Sequence, residues 1–506
     1  MSLSEIVPTP AKPPGAAGAG DPSAEVRRGQ TLEIEVEDLA FGGRALSRVG
    51  GLVVFIENAL PGDRVAATVY RRKRQYAEAR ADRILRPAPS RVEPRCTHTA
   101  ICGGCRFQDL DYKEQLAHKE RQVAECLAHL GGVQATVRPV IAAPNVFHYR
   151  NKMEYSFGRD TAGETILGLH RRSFFDRSFD LERCHIATPI SSEIVAFTRE
   201  WARREKLPVY DTRRHEGLLR YLMVREGIRT GQVMVNLVAT SDHPSFAGFA
   251  ADARRAFPRV ASVVLNLTRR RGQTAIGDEE RVLSGKATIE ETLAGLTFEI
   301  SSSSFFQTNT EQAERLLSAA LEGLALTGKE RVLDIYAGTG TFTLPIASAA
   351  REVIGIESSD VAVKDAERNA ERNGIKNASF WTGEAVEVLR DRLGLGLRDA
   401  TGGVAEARAT VERPKIDAVL VDPPRAGLHA GVVSRLIHLG APRLVYVSCN
   451  PSTLGRDLGL LCESRYRVLW VEPVDMFPHT PHIECVAVLE RADASDSAAP
   501  AGRAEE

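Results

Sequence analysis

The chain has 506 residues, 43% of them hydrophobic, which is too long for one ordinary domain and enough to bury several cores. Its 66 basic and 66 acidic residues cancel, so net charge points to neither a nucleic acid nor a membrane, and any cationic surface must be local. No stretch approaches the roughly 18 apolar residues of a membrane span, and the Pro/Gly/Ala-rich start lacks the apolar core of a signal peptide, so a cytoplasmic protein with no membrane contact is expected.

Residues 1–25 are poor in aromatics and rich in Pro, Gly and Ala, a composition too weak in apolar surface to offset chain entropy, and are expected to be disordered. The same holds for the tail over 492–506 and for a Gly/Ala-rich excursion around 394–412. From Thr31 to about Arg86 short alternating runs (TLEIEVEDL, LVVFIE, RVAATVY, AEARADRIL) are separated by Gly-Gly and Pro-Gly turns, which predicts a small all-β unit over 27–88. Within it Arg71, Arg72, Lys73 and Arg74 precede Tyr76. Such a run suits phosphate contact with base stacking, or equally a charged hairpin edge. A mixed α+β unit over 91–300 resists finer division. From Lys329 onward strands and helices alternate: RVLDIYAG, a helix over 342–350, VIGIE, a helix over 361–373, ASFW, a helix over 384–392, DAVLVDPP, a helix over 431–439, RLVYVSC and a helix over 453–462. This repetition predicts a doubly wound parallel sheet within a unit over 301–491. RVLWVEPV and HIECVAVLE then follow with no helix between them, which predicts an antiparallel hairpin on the sheet edge.

The strand-to-helix turn Asp334-Ile335-Tyr336-Ala337-Gly338-Thr339-Gly340-Thr341 lets a ligand approach the backbone closely. It lacks the third glycine of a pyrophosphate-binding turn, and Glu357, about 17 residues beyond Gly340, is placed to hold ribose hydroxyls; a nucleoside without phosphates, such as adenosylmethionine, fits this pattern. Glu384 follows the third strand and could reach an adenine amine, or simply favour the helix dipole. Asp422, before Pro423 and Pro424, ends the fourth strand on the edge where α/β sheets bind ligands. Cys449 follows the fifth strand on the same edge. A buried cysteine is most often an inert small hydrophobe, but Glu484 opens the last strand and can share the rim with this thiol. Cys96, Cys102 and Cys105 have the spacing C-x5-C-x2-C, with Cys184 beyond them; four thiolates could hold zinc or an iron-sulfur cluster. Cys126, Cys462 and Cys485 read as core thiols.

In order along the chain, FFQTN (305–309), DIYAGTG (334–340), DPPRAG (422–427), VSCNP (447–451) and FPHTPHIE (477–484) resemble the RNA uracil-C5 methyltransferase family, covering nearly all of the ordered chain. The resemblance is to its iron-sulfur and TRAM-containing branch, similar to the 23S rRNA uracil-C5 methyltransferases. It implies a Rossmann-like class I methyltransferase domain, an N-terminal OB-like TRAM barrel and a central iron-sulfur domain. By the same resemblance Gln307, Tyr336, Thr341, Glu357, Glu384 and Asp422 contact S-adenosyl-L-methionine, with Thr341 standing where some relatives have Asn. Phe305 lines the uracil pocket, Cys449 is the nucleophile and Glu484 the proton acceptor. Cys96, Cys102, Cys105 and Cys184 hold a structural [4Fe-4S] cluster, and Arg71, Arg72 and Arg74 help bind RNA, more readily ribosomal than transfer RNA. No obligate protein partner is implied. Two rival readings are an inactive RNA-binding assembly factor, against which an intact Cys449, Glu484 and Asp422 argue, and an amide methyltransferase, for which Arg425 stands where an aromatic is needed.

Overall fold

The computed structural model describes residues 26–172, 174, 176–271, 277–395 and 414–492. Of the segments expected to be disordered, 1–25, 394–412 and 492–506, all but Gly394, Leu395 and Ala492 lie outside the described residues.

The alternating N-terminal runs form β1 (Thr31–Glu35), β2 (Asp38–Ala40), β3 (Arg44–Val49), β4 (Leu52–Glu57), β5 (Arg64–Arg72) and β6 (Tyr76–Arg86), in the order β1-β5-β6-β4-β3-β2. The two ends of this sheet, β1 and β2, are halves of one bent stretch broken only at Val36 and Glu37, so the sheet closes into a barrel. The parallel pair β4 and β6 completes an OB-type topology. Alternate residues such as Val54, Ile56, Val65, Ala67 and Val69 fill its interior.

Helix α1 (Tyr112–Gly131) starts at Asp111, whose carboxylate accepts from Lys113 N, and ends at Gly132 in the left-handed conformation. The stretch that resisted division is one mixed sheet of β7 (Lys152–Arg159), β8 (Thr165–His170), β9 (Ser178–Asp180), β10 (Leu219–Glu226), β11 (Val233–Ala239), β12 (Val260–Leu267) and β13 (Glu279–Gly285), with α2 (Pro189–Arg204) and α3 (Ser245–Ala256). Ile194, Trp201, Phe246 and Phe249 of the two helices pack into the core of this sheet. Met234 and Val264 join a different core, together with Phe306 and the hairpin β14 (Ile289–Leu293) and β15 (Leu296–Ile300), so the middle of the chain is packed into the C-terminal unit.

The C-terminal unit contains α4 (Thr310–Leu324), β16 (Arg331–Ile335), α5 (Thr343–Ala347), β17 (Glu352–Glu357), α6 (Asp360–Arg372), β18 (Ala378–Thr382), α7 (Ala385–Leu393), β19 (Ala418–Val421), α8 (Ala430–Leu439), β20 (Arg443–Ser448), α9 (Pro451–Ser464), β21 (Tyr466–Val474) and β22 (Glu484–Arg491). Its sheet order is β18-β17-β16-β19-β20-β22-β21, parallel except for β22. The last two strands form the antiparallel hairpin expected on the sheet edge, with β22 beside β20 and β21 outermost. Pairing on both sides leaves the first six residues of β22 (ECVAVLER) buried, whereas β21 is only partly covered.

Helix α1 leaves the barrel side and lies across α9. Gly131, Gly455 and Gly459 let the two backbones touch: a Cβ on Gly131 would stand 2.3 Å from the Gly455 carbonyl oxygen. Gly131→Ala is therefore expected to destabilise the protein by about 1–3 kcal/mol through overpacking, read as a lower thermal midpoint; an unchanged midpoint would show that the crossing tolerates the methyl group.

Candidate active site

Ladder register brings the two central groups together. Ser448 of β20 pairs with Cys485 of β22, so the next position on each strand, Cys449 and Glu484, continues the antiparallel register at the carboxyl edge of the sheet. Helped by the proline after it, Asn450 holds this corner in two ways. Its Oδ1 accepts from Ser452 N and caps α9, Pro451 supplies the first helical residue, and its Nδ2 donates to the Arg425 carbonyl at 3.0 Å. Asp457, 1% exposed in α9, secures the neighbouring loop by accepting from Leu428 N at 2.8 Å and Tyr446 Oη at 2.7 Å. The loop after β19, carrying Asp422 and Arg425, is thus fastened to the helix that follows the thiol.

Four groups here feel one another. Burial, then the charges of Glu484 and Asp422, push the Cys449 thiol up to about 11, while the Arg425 guanidinium works the other way. Burial and Asp422 raise the Glu484 carboxyl well above its ordinary range, opposed again by Arg425. Asp422 is raised to about 7 by burial and by Asp334, itself raised to about 7 by burial and held by Thr343 Oγ1 at 2.5 Å. Three carboxyls crowd a poorly hydrated pocket that has one exposed guanidinium among them.

On the other side of β16 the turn rises over β17. Tyr336 N and Ala337 N both donate to the Ile356 carbonyl at 2.9 Å, which holds Tyr336 at φ 74, a conformation costly for a side chain of its size. Gly338, at φ 57, presents its N–H to Glu357 Oε2 at 3.1 Å, and Ser359 N donates to Glu357 Oε1 at 2.8 Å. Glu357 is thereby aimed at the turn. Glu384 precedes α7 with no capping bond from its side chain and is exposed, so it does not serve the helix end; its charge raises the Tyr336 hydroxyl after burial does. Thr339 Oγ1 donates to the Phe305 carbonyl at 3.3 Å, and Phe305 is 63% exposed, whereas Gln307 and Thr341 are buried. A large exposed phenyl ring beside the turn is a free stacking surface.

Arg71, Arg72 and Arg74 belong to a different sheet, at the β5–β6 hairpin, where Arg71 and Arg74 are exposed and Arg71 lies 3.4 Å from Glu78. Cys96, Cys102, Cys105 and Cys184 line one cavity of about 440 Å³ beneath the central sheet. Burial raises the Cys96, Cys105 and Cys184 thiols, Cys105 to about 12, and the neighbouring thiols add to this. Gly104 N lies 3.3 Å from Cys102 Sγ as donor. Among the described residues, no three His, Cys, Asp or Glu side chains are gathered closely enough to hold a single metal ion. The expected ligand set is therefore not drawn together around one ion; the four cysteines line a shared space instead. Cys126 and Cys485 are core thiols as expected, but Cys462 is only partly buried.

Arg425, Asp457 and Asn450 were not singled out by the motifs. Asn450 before Pro451 is a readable helix-cap signature; Arg425 and Asp457 gain meaning only from tertiary neighbours.

The sheet order, the turn over β17 and the loops on one carboxyl edge define a class I adenosylmethionine-dependent methyltransferase fold. Comparison with known proteins places the chain further. Residues 247–492 match the family model described as tRNA (Uracil-5-)-methyltransferase, and residues 25–81 match the TRAM domain. The chain is 39% identical to an uncharacterised RNA methyltransferase of Porphyromonas gingivalis over 90% of its length and 99% of that protein's, and 37% identical to one of Chlorobaculum tepidum over 92% and 98%. It is also similar to the crystal structure of Pyrococcus abyssi tRNA (uracil-54, C5)-methyltransferase in complex with S-adenosyl-L-homocysteine, at TM-score 0.71 and 29% identity, covering 90% of this chain and all of that one. The chain belongs to the S-adenosylmethionine-dependent RNA uracil-5-methyltransferase family.

The opposed charges around Cys449 make its reactivity a test of the geometry. Removing a carboxylate lowers a thiol pKa and removing a guanidinium raises it, so Cys449 should alkylate at lower pH in Glu484→Gln and at higher pH in Arg425→Ala than in the wild type, whose rate should climb toward about pH 11. Peptide mass spectrometry of Cys449 after timed iodoacetamide exposure checks this; identical profiles would mean that the three groups do not share a site.

Proposed function

We propose that this protein methylates carbon 5 of a uridine in RNA through a covalent bond between Cys449 and carbon 6, with Glu484 as the proton acceptor and large-subunit 23S ribosomal RNA as the substrate. The observation that carries this reading is the continuation of the β20–β22 ladder, which puts a thiol beside a buried carboxyl on the ligand edge of a methyltransferase sheet.

Carbon 5 of uracil is a poor nucleophile. Addition of the Cys449 thiolate to carbon 6 pushes electrons onto carbon 5 and oxygen 4, giving an enolate that can take a methyl group. Adenosylmethionine, when bound, supplies that methyl as a sulfonium electrophile. Gln307, Tyr336, Thr341, Glu357, Glu384 and Asp422 are the residues proposed to hold it, Glu357 toward the ribose and Glu384 toward the adenine. Glu484 then removes hydrogen 5, and the electron pair of that C–H bond expels the Cys449 sulfur from carbon 6 and restores the aromatic ring. To accept it Glu484 must enter this step as the carboxylate, and the burial that raises its pKa makes that carboxylate the stronger base. Because pairing and stacking hide the ring, the target base must be flipped out or unpaired, and the exposed Phe305 ring is placed to stack on it. Arg71, Arg72 and Arg74 would add phosphate contacts from the barrel.

The barrel and the cysteine-bearing central unit support the ribosomal reading by resemblance. A second reading, a transfer-RNA uridine, is favoured by the P. abyssi tRNA enzyme, which matches this chain over its entire length. With labelled adenosylmethionine, protein-free 23S rRNA and unmodified tRNA offered at equal concentration, 5-methyluridine is expected in the rRNA; its appearance in tRNA alone would decide for the second reading. Cys449→Ala should lower turnover at least about 10⁴-fold while still binding S-adenosylhomocysteine, and appreciable turnover in that variant would exclude the covalent route.

Cys96, Cys102, Cys105 and Cys184 are proposed to hold a [4Fe-4S] cluster with a structural role, since no step of the methyl transfer needs an electron. Protein purified without oxygen should be brown and contain iron, and Cys184→Ser should lose the colour and much of its solubility. Stoichiometric zinc in an iron-free, fully active preparation would refute the cluster.

A further inference from the structure

The segment joining β21 to β22 carries FPHTPHI and ends at Glu484, and its two ends, Val474 and Glu484, are ladder partners. It runs directly into Glu484, the first residue of β22, so how firmly it is held bears on how firmly the Glu484 backbone is held where the strand begins. Most of its anchors come from outside the C-terminal sheet. Lys119, in the middle of α1, has a side chain 1% exposed and donates to Asp475 Oδ1 at 2.6 Å and to the Phe477 carbonyl at 3.2 Å. Asp475, fully buried, also accepts from Tyr112 Oη at 2.8 Å, two turns earlier on the same helix face. Gln115, a turn before Lys119, accepts from His479 N at 2.9 Å, and His479 is held at φ 66. The His479 carbonyl accepts from Arg106 N and Phe107 N, directly after Cys105. The same helix crosses the glycines of α9, the helix that begins beside Cys449. One element therefore braces the supports of both proposed catalytic groups.

A buried ion pair is a poor source of net stability, because desolvation of both charges offsets their attraction, and an apolar or neutral pair of similar shape would hold the helix to the loop as well. What a charged amine adds is direction: three donors on a fixed stem, two of them spent on the arm that leads to Glu484. We propose that Lys119, through Asp475 and the Phe477 carbonyl, is a positioning residue for Glu484, setting the geometry in which hydrogen 5 is removed and leaving cofactor binding and methyl transfer to other groups. This rests on reading Glu484 as the proton acceptor.

The two halves of the reaction can be timed separately with RNA carrying tritium at carbon 5 of the target uridine and labelled methyl on adenosylmethionine. Under single turnover, Lys119→Met is expected to transfer the methyl within about threefold of the wild-type rate but to release tritium at least about tenfold more slowly, so that methylated RNA accumulates bound to protein on denaturing gels. Because Lys119→Met strands the Asp475 carboxylate and can fail to fold, the double variant Lys119→Met, Asp475→Asn is measured beside it and should show the same selective delay with unchanged S-adenosylhomocysteine affinity. Equal slowing of both steps, loss of that affinity, or normal tritium release in the folded double variant would overturn the assignment and leave Lys119 a packing residue. Glu484→Gln separates the two ideas. If it fails to trap methylated RNA, the proton-acceptor reading falls and takes this one with it; if it traps and the Lys119 variants do not, only the role of Lys119 falls.

Discussion

Antiparallel pairing of β22 against β20 is the constraint on which the rest of the site depends. Every other strand of the C-terminal sheet runs parallel, and in a parallel sheet each ligand-side group arrives at the end of its own strand, separated from the next by a strand spacing. Reversing one strand lets the start of β22 meet the end of β20, so a group that opens one strand stands beside a group that follows the other. The Asn450 corner, the Asp457 bonds to Leu428 and Tyr446, and the α1 contacts on the 475–483 segment all preserve that meeting point. A slip of one residue in this register would turn one of the two side chains to the opposite face.

The electrostatics of the pocket follow from the same crowding. Asp334, Asp422 and Glu484 are all pushed up, and at Glu484 Arg425 counters them. A carboxyl with a raised folded pKa favours the fold while protonated, and that contribution drains away as pH rises from the ordinary carboxylate range toward the folded value, here about 7 for the two aspartates. The site thus opposes the stability of its own domain at neutral pH. The surrounding sheet, with β19, β20 and most of β22 buried, is what tolerates it.

How much of this was legible in the sequence differs from unit to unit. The alternation of strand and helix after Lys329 announced the parallel sheet because each βα unit repeats the same apolar run and turn chemistry, and the motif turns marked its carboxyl edge. The last hairpin was readable as antiparallel and as an edge element, but which of its two strands lies beside β20 was not, since that depends on tertiary pairing. The middle of the chain stayed opaque for a plainer reason: β11, VMVNLVA, is buried at every position, so it shows no period of two, and its partners arrive from both directions in sequence. Lys119 lies in YKEQLAHKERQ, a stretch that reads as a solvated helix face. Nothing local distinguishes it from Lys113, which is exposed; only the partner in the 475–483 segment does.

The interior position of β22 also bears on how the protein is made. A ribosome delivers β20 well before β22, and until the chain has emerged past Arg491 the flank of β20 that carries Val445 and Val447 has no strand to pair with, since β21 reaches the sheet only through β22. A growing chain therefore holds an adhesive, unprotected edge through the last stage of translation. It also lacks Glu484 until then, so the corner where this carboxyl meets the Cys449 thiol is assembled only once β22 has paired.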